Sequence, residues 1–316
     1  MKKTLKNIAT LTSLAIAGIH ITNCIIENNS TRKGILTTCN GHYYHWKYGE
    51  IFYTKQGKGT PLLLIHNLTP DSSAYEWNKL ISQLSKYRTV YTIDLLGCGR
   101  SEKPQLTYTN YLYVQLISDF ITKVIGKKTD VITSGHSSTF TLMANMMNSN
   151  IINKLIFINP NSIYENDSIG IKSKQLSNVI MKMPVLGTYL YNILMRKSYI
   201  QNQCNNDYCG KEYYITPNMI DAYYEGAHLN HSKGRFLFAS IYSNYTNVNI
   251  KKAIMNLKNP LLLLESEARE TSNNLFEEYL SFNKDISTKI IPNTDCLPHI
   301  EASQQTCDSI LDFLNK

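Results

Sequence analysis

The sequence has no internal repeat, no low-complexity linker and no basic stripe interleaved with aromatic residues. The first absence excludes a solenoid or propeller array, and the second excludes domains strung on flexible tethers. The third bears on the net charge of +8. With its lysines scattered singly or in pairs, that excess reads as a solvated surface, and no nucleic-acid partner is expected.

Cysteine lacks a pattern. Cys24 falls in an apolar leader, and the other six of the seven cysteines sit at irregular spacings in a chain too long to need staples. A disulfide scaffold is therefore excluded. Cys204 and Cys209 are close enough in sequence to pair locally. Joined to His228 and His231 they would make a zinc set, but the histidine spacing is tighter than in the usual finger. No metal and no other cofactor is expected. With 43% hydrophobic and 18% charged residues, 316 residues bury a large core, as one big domain or a domain with an insertion.

What is present begins with residues 1–34. Lys2, Lys3 and Lys6 precede a mostly apolar run from Ile8 to Ile26, about the length that crosses a bilayer as a helix. Ala15-Ile16-Ala17 resembles a signal-peptidase site, whereas Asn23 before Cys24 is wrong for a lipoprotein box. The segment reads as an uncleaved membrane anchor or a signal. The three lysines place the N-terminus in the cytoplasm and the bulk of the chain on the extracytoplasmic side.

From Tyr43 strand and helix signals alternate. Tyr43–Tyr48 and Ile51–Thr54 read as a hairpin turning at Gly49-Glu50; Pro61–His66 and Thr89–Asp94 are continuous apolar runs, hence buried strands. Between and after them come helical periods over 74–86 and 111–125, a strand at 130–133, a helix at 138–147 and a strand at 154–159. Repeated β-α-β units predict a mostly parallel sheet with helices on both faces and ligands at the carboxyl ends of its strands.

One of those ends reads V-I-T-S-G-H-S-S-T, from Val131 to Thr139. A β-branched run ending in Gly-x-Ser predicts a sharp strand-to-helix turn with Ser137 at its tip, a nucleophile elbow. Gly135 supplies the small residue before the serine, and Thr139 stands where a second glycine is usual. Three further stretches lie around it. His66-Asn67-Leu68-Thr69-Pro70-Asp71-Ser72-Ser73 leads to Trp77, D-L-L-G-C-G-R-S-E-K-P runs from Asp94 to Pro104, and L-P-H-I-E-A runs from Leu297 to Ala302. In order and wording these resemble the motifs of the α/β-hydrolase family, over roughly residues 40–160 and 250–316.

The resemblance implies an α/β fold of the α/β-hydrolase type, a mostly parallel central sheet flanked by helices with an inserted helical cap. The core would comprise 35–161 and 249–316, and the cap 162–248, rich in Tyr and Met and shaping a pocket for a small molecule. It also implies a serine hydrolase acting on a small ester or acyl compound, with Ser137 as nucleophile and backbone N–H groups of Leu68 and Ser138 as oxyanion donors. His66, Asn67 and His136 would border the substrate. The family's remaining triad positions are substituted, since Cys296 stands at the histidine and Arg269 at the acid. His299 is the nearest alternative base, and Glu267 or Glu270 the nearest alternative acid. A serine without a histidine to take its proton is a poor nucleophile. Two expectations therefore stand side by side: a hydrolase using displaced residues, and a non-catalytic relative that binds a ligand or partner in the capped pocket.

Overall fold

The computed structural model describes residues 2–38, 40–164, 175–204 and 215–316. In chain order, helix α1 (Lys2–Thr31) is followed by strands β1 (His42–Trp46), β2 (Gly49–Gln56) and β3 (Pro61–Ile65), helix α2 (Asn78–Leu84) and β4 (Thr89–Ile93). Next come α3 (Asn110–Phe120), β5 (Thr129–Ser134), α4 (Ser137–Met147) and β6 (Ile152–Ile158). A helical stretch follows, with α5 (Gln175–Lys182), α6 (Pro184–Leu194), α7 (Lys197–Gln203), α8 (Pro217–Ser232), α9 (Arg235–Tyr242) and α10 (Lys251–Met255). The chain then returns through β7 (Leu261–Ser266), α11 (Glu267–Asn273), α12 (Leu275–Phe282), β8 (Ser287–Ile291), α13 (Pro298–Glu301) and α14 (Ser303–Leu314).

Among the described residues eight strands form one sheet in the order β1-β2-β4-β3-β5-β6-β7-β8, antiparallel at β1-β2-β4 and parallel from there on. The parallel strands are apolar throughout because both faces are covered. Leu62 and Leu64 of β3 pack with Trp77, Leu80, Leu84 and Ile310 on one side, while Leu63 and Ile65 join Tyr113, Phe120 and Phe140 on the other. The mostly parallel α/β architecture expected from the alternating signals is thus present. One local expectation is corrected: Trp46 pairs with Gly49, so the first hairpin turns at Lys47-Tyr48 and Gly49-Glu50 already belong to β2. Gly49 has φ +144, and a Cβ there would sit 2.6 Å from the Glu102 carboxylate.

The helical stretch lies over the strand ends and is tied to them by buried polar contacts. Lys103 Nζ donates to Gly97 O at 3.3 Å and to Gly226 O of α8 at 3.1 Å. Helix α8 begins on a Thr216 cap and Pro217, the arrangement that satisfies a first turn at lowest cost. Its His228 is fully buried, with Nδ1 donating to Tyr224 O at 2.8 Å and Nε2 unpartnered. Burial pulls this imidazole down to about 4 from 6.5. The unfolded chain therefore takes up a proton below pH 6.5 that the fold refuses until about pH 4, and stability should fall by about 3 kcal/mol across that window as pH drops. Urea unfolding of His228→Phe from pH 7 to 4 should lack this share of the acid destabilisation. An unchanged acid limb would contradict it.

Helix α1 is long and apolar enough to cross a membrane. It packs on α6 and α8. Asn23 donates to Val185 O at 3.2 Å and accepts from Asn192 at 3.0 Å, and Glu27 meets His231. Just beyond the helix, the Glu225 carboxylate of α8 accepts from the backbone N–H groups of Ile35, Leu36 and Thr37 at 2.6, 3.3 and 3.4 Å. Asp221 pairs with both Lys33 and Lys197. Of the polar residues within the apolar run, Asn23 is the one by which the helix docks.

Candidate active site

Strand β5 delivers Ser137 to the centre of the sheet's carboxyl edge. The turn's left-handed residue is Gly135, at φ +52, and a Cβ there would lie 2.5 Å from Asn67 Oδ1, which is why glycine is required. Ser137 follows the Gly135-His136 turn as the first residue of α4 and has no exposed surface. Its Oγ donates to His66 O at 2.5 Å. Thr139 is accommodated where a second glycine was expected because its hydroxyl is fully used, donating to His136 O at 2.9 Å and accepting from Asn110 Nδ2 at 3.2 Å.

The expected oxyanion donors are already engaged. Leu68 N–H donates to Asn67 Oδ1 at 2.9 Å, and Ser138 N–H to Gly135 O at 3.3 Å. Asn67 Oδ1 also accepts from His136 N at 3.0 Å. The Asn67 amide oxygen thus occupies the Leu68 donor that a substrate carbonyl would need. The polar side chain of Asn67 directly after β3 was the only sequence signal of this, and its reach could not be read from the chain alone.

None of the three imidazoles nearest the serine in sequence or motif is placed to take its proton. His66 is buried and locked, with Nδ1 donating to Asn67 O at 2.6 Å and Nε2 accepting from Leu95 N at 3.0 Å. Burial holds its pKa below the usual value, so it is neutral. His136 Nε2 is 3.1 Å from Thr246 O, and burial lowers its pKa as well. His299, the alternative base, lies against Trp77 with its Nε2 3.1 Å from Glu76 Oε1. Glu76 Oε2 in turn accepts from Asn67 N at 3.1 Å. Burial pushes the Glu76 carboxyl up, but His299, Ser134 and His66 together hold the pKa below the ordinary range. The buried Glu76–His299 pair was not anticipated; it braces the Asn67 loop from beneath.

The alternative acids are equally occupied. Glu267 is exposed and accepts from Asn293 N at 2.8 Å, while Glu270 accepts from Phe276 N at about the same reach as a long hydrogen bond, 3.3 Å. Arg269, at the family's acid position, donates to Pro160 O at 3.4 Å and approaches Glu265 at 3.8 Å. The structure does not assemble Ser137, His299, Glu267 and Glu270 into a relay.

Around the substituted histidine position the loop itself is well built. Glu301 accepts from the N–H groups of Asp295, Cys296 and Leu297 at 2.8, 2.9 and 2.7 Å. Asn159, at φ +45, donates to Cys296 O and accepts from Ser266 N at 2.9 Å, and Ser266 Oγ donates to Asp295 O at 2.6 Å. Half-buried Cys296 therefore sits in a firmly held loop. Of the zinc set considered from sequence, Cys209 lies outside the described residues, while His228 and His231 have the separate contacts given above.

A cleft of about 180 Å³ lies between Thr69, Pro70 and Asp71 of the loop after β3 and Met195, Tyr199, Phe238 and Tyr242 of the helical stretch. Ser137 is not among its lining residues. Asp71, buried at its edge, carries a carboxyl whose pKa burial raises.

A model of the alpha/beta hydrolase family matches residues 62–305. Among curated proteins, the 2-hydroxy-6-oxo-6-(2'-aminophenyl)hexa-2,4-dienoic acid hydrolase of Metapseudomonas resinovorans is 27% identical over 111 residues, 34% of this chain and 38% of that protein. The chain thus matches well under half of that relative's length. Among solved structures, a serine hydrolase involved in carbazole degradation superposes with a TM-score of 0.69 at 18% identity, covering 87% of this chain and 98% of the other. A membrane phospholipase A, a bacterial virulence factor, gives 0.66 at 17% identity, covering 100% and 98%. These two structures share the fold. With the sheet, the motifs and a family model spanning most of its length, the chain belongs to the alpha/beta hydrolase family.

Proposed function

We propose that this protein is a membrane-anchored family member that holds a small, largely apolar ligand beneath its helical cap and does not hydrolyse esters through Ser137. The observation that carries this reading is Asn67 Oδ1 accepting from both Leu68 N and His136 N. An acyl carbonyl at Ser137 would have to displace that amide, in a site where Cys296 and Arg269 replace histidine and acid. The aromatic and aliphatic lining of the cleft, with Asp71 as its one acidic group, supports a weakly polar ligand. The apolar helix α1 and its three preceding or early lysines support an anchor with the rest of the chain extracytoplasmic.

A fluorophosphonate reports an activated serine directly. Labelling of the full-length protein should be weak and no different in Ser137→Ala. Strong labelling lost in Ser137→Ala would reverse the reading in favour of a serine hydrolase of small acyl compounds. The retained Gly135-His136-Ser137 turn is the feature that keeps that second reading testable.

A further inference from the structure

We propose that the outer face of α5 and α6 lies in the headgroup and acyl boundary of the same bilayer that α1 crosses, so that the cap is held on the lipid surface by two elements. This rests on the anchor reading of α1 and extends it.

Three observations carry it. First, Val179, Met183, Leu186, Leu190 and Ile193 are each between 36% and 56% exposed. On α6, Leu186, Leu190 and Ile193 recur at helical spacing on one side, opposite the buried Gly187 and Tyr191. A contiguous exposed apolar face of this kind marks an interaction surface.

Second, the level of that face along α1 matches a membrane boundary. From Lys3 to Thr22 the helix is almost wholly exposed, and at Asn23 it meets Val185 and Asn192 of α6. At about 1.5 Å per residue the exposed part spans about 30 Å, the thickness of a hydrocarbon core. A bilayer filled by that part ends where α6 crosses the anchor.

Third, cations flank the stripe. Lys182 precedes α6, and exposed Arg196 follows it, with Lys197 next in the chain but held by Asp221. Basic side chains at the ends of an apolar helical face suit lipid phosphates, with the aliphatic stems buried and the charges snorkelling outward. The Asn23–Asn192 contact makes the two elements continuous, which a protein partner seated on the stripe alone would not require.

The test uses the full-length chain in phosphatidylglycerol–phosphatidylcholine vesicles containing lipids brominated at shallow or deep acyl positions. The native Trp46 and Trp77 are buried in the core, so an introduced indole is read above a constant background. Leu186→Trp and Ile193→Trp should each lose about half of their added fluorescence to shallow bromines and less to deep ones. Leu11→Trp, on the anchor, should be quenched most by deep bromines. Tyr87→Trp, beside Gly59 at the opposite ends of the strands, should not respond. Quenching at Leu11 without quenching at 186 and 193 would overturn the docking of the cap and leave the anchor standing. No quenching at Leu11 would remove the anchor, and the proposal with it. Using two positions on α6 guards against one substitution disturbing the helix.

Discussion

A chain carrying Asn67→Gly, Arg269→Asp and Cys296→His together should hydrolyse simple nitrophenyl esters through Ser137 at least about a hundredfold faster than wild type, while each single change gains little. The reason lies in what each change repairs. Removing the Asn67 amide releases the N–H group of Leu68, one of the two expected oxyanion donors, and clears the amide oxygen that also sits on His136 N. A histidine at 296 enters a loop already fixed by Glu301 and Asn159, and an aspartate at 269 supplies the carboxylate that would orient it. Each part is useless without the others: an imidazole lacking its acid adopts the wrong tautomer, and a base cannot act where the carbonyl has no seat. Initial rates for the wild type, the three single variants, the triple variant and the triple variant with Ser137→Ala would be compared. Additive small gains, or activity in the triple variant that survives loss of Ser137, would defeat the explanation.

Replacing Glu265 by glutamine should stabilise the fold by about 5 kcal/mol above pH 8 and by almost nothing near pH 4. Glu265, next to last in strand β7, is fully buried, and neither carboxyl oxygen has a hydrogen-bond partner. Burial raises its pKa to about 8 from 4.5, despite Arg269 Nε at 3.8 Å, with Glu270 pushing the same way. At 3.8 Å, without a directed hydrogen bond, the guanidinium does not repay the lost hydration. The sign follows from proton counting. Between pH 4.5 and 8 the unfolded chain has released this proton and the native state keeps it, so wild-type stability declines as pH rises through that window. Glutamine has no proton to keep. The difference between wild-type and Glu265→Gln urea midpoints, followed from pH 4 to 8.5 in detergent, should therefore grow with pH. A constant difference would mean that the carboxyl is hydrated or paired in solution.

Much of the fold was legible in the sequence. The apolar runs at Pro61–Ile65 and Thr89–Ile93 are strands because a residue buried on both faces must be apolar, and that requirement is local. The elbow glycine, the aspartate-glycine loop after β4 and the loop before α13 are read from spacing along the chain. So is the presence of Arg269 and Cys296 in the stretches after β7 and before α13, since it concerns identity along the chain. These were determined by the sequence itself: an α/β chain of this family with Ser137 after the Gly135-His136 turn. What the tertiary structure alone decided is where the remaining polar groups find partners. Ser137 turned to a carbonyl 71 positions away, Asn67 reached an N–H 69 positions away, and Asn23 found Val185 across 162. No periodicity encodes such pairings. They follow from the requirement that each buried donor and acceptor be satisfied, and its solution depends on which groups the packed elements bring within about 3 Å of one another.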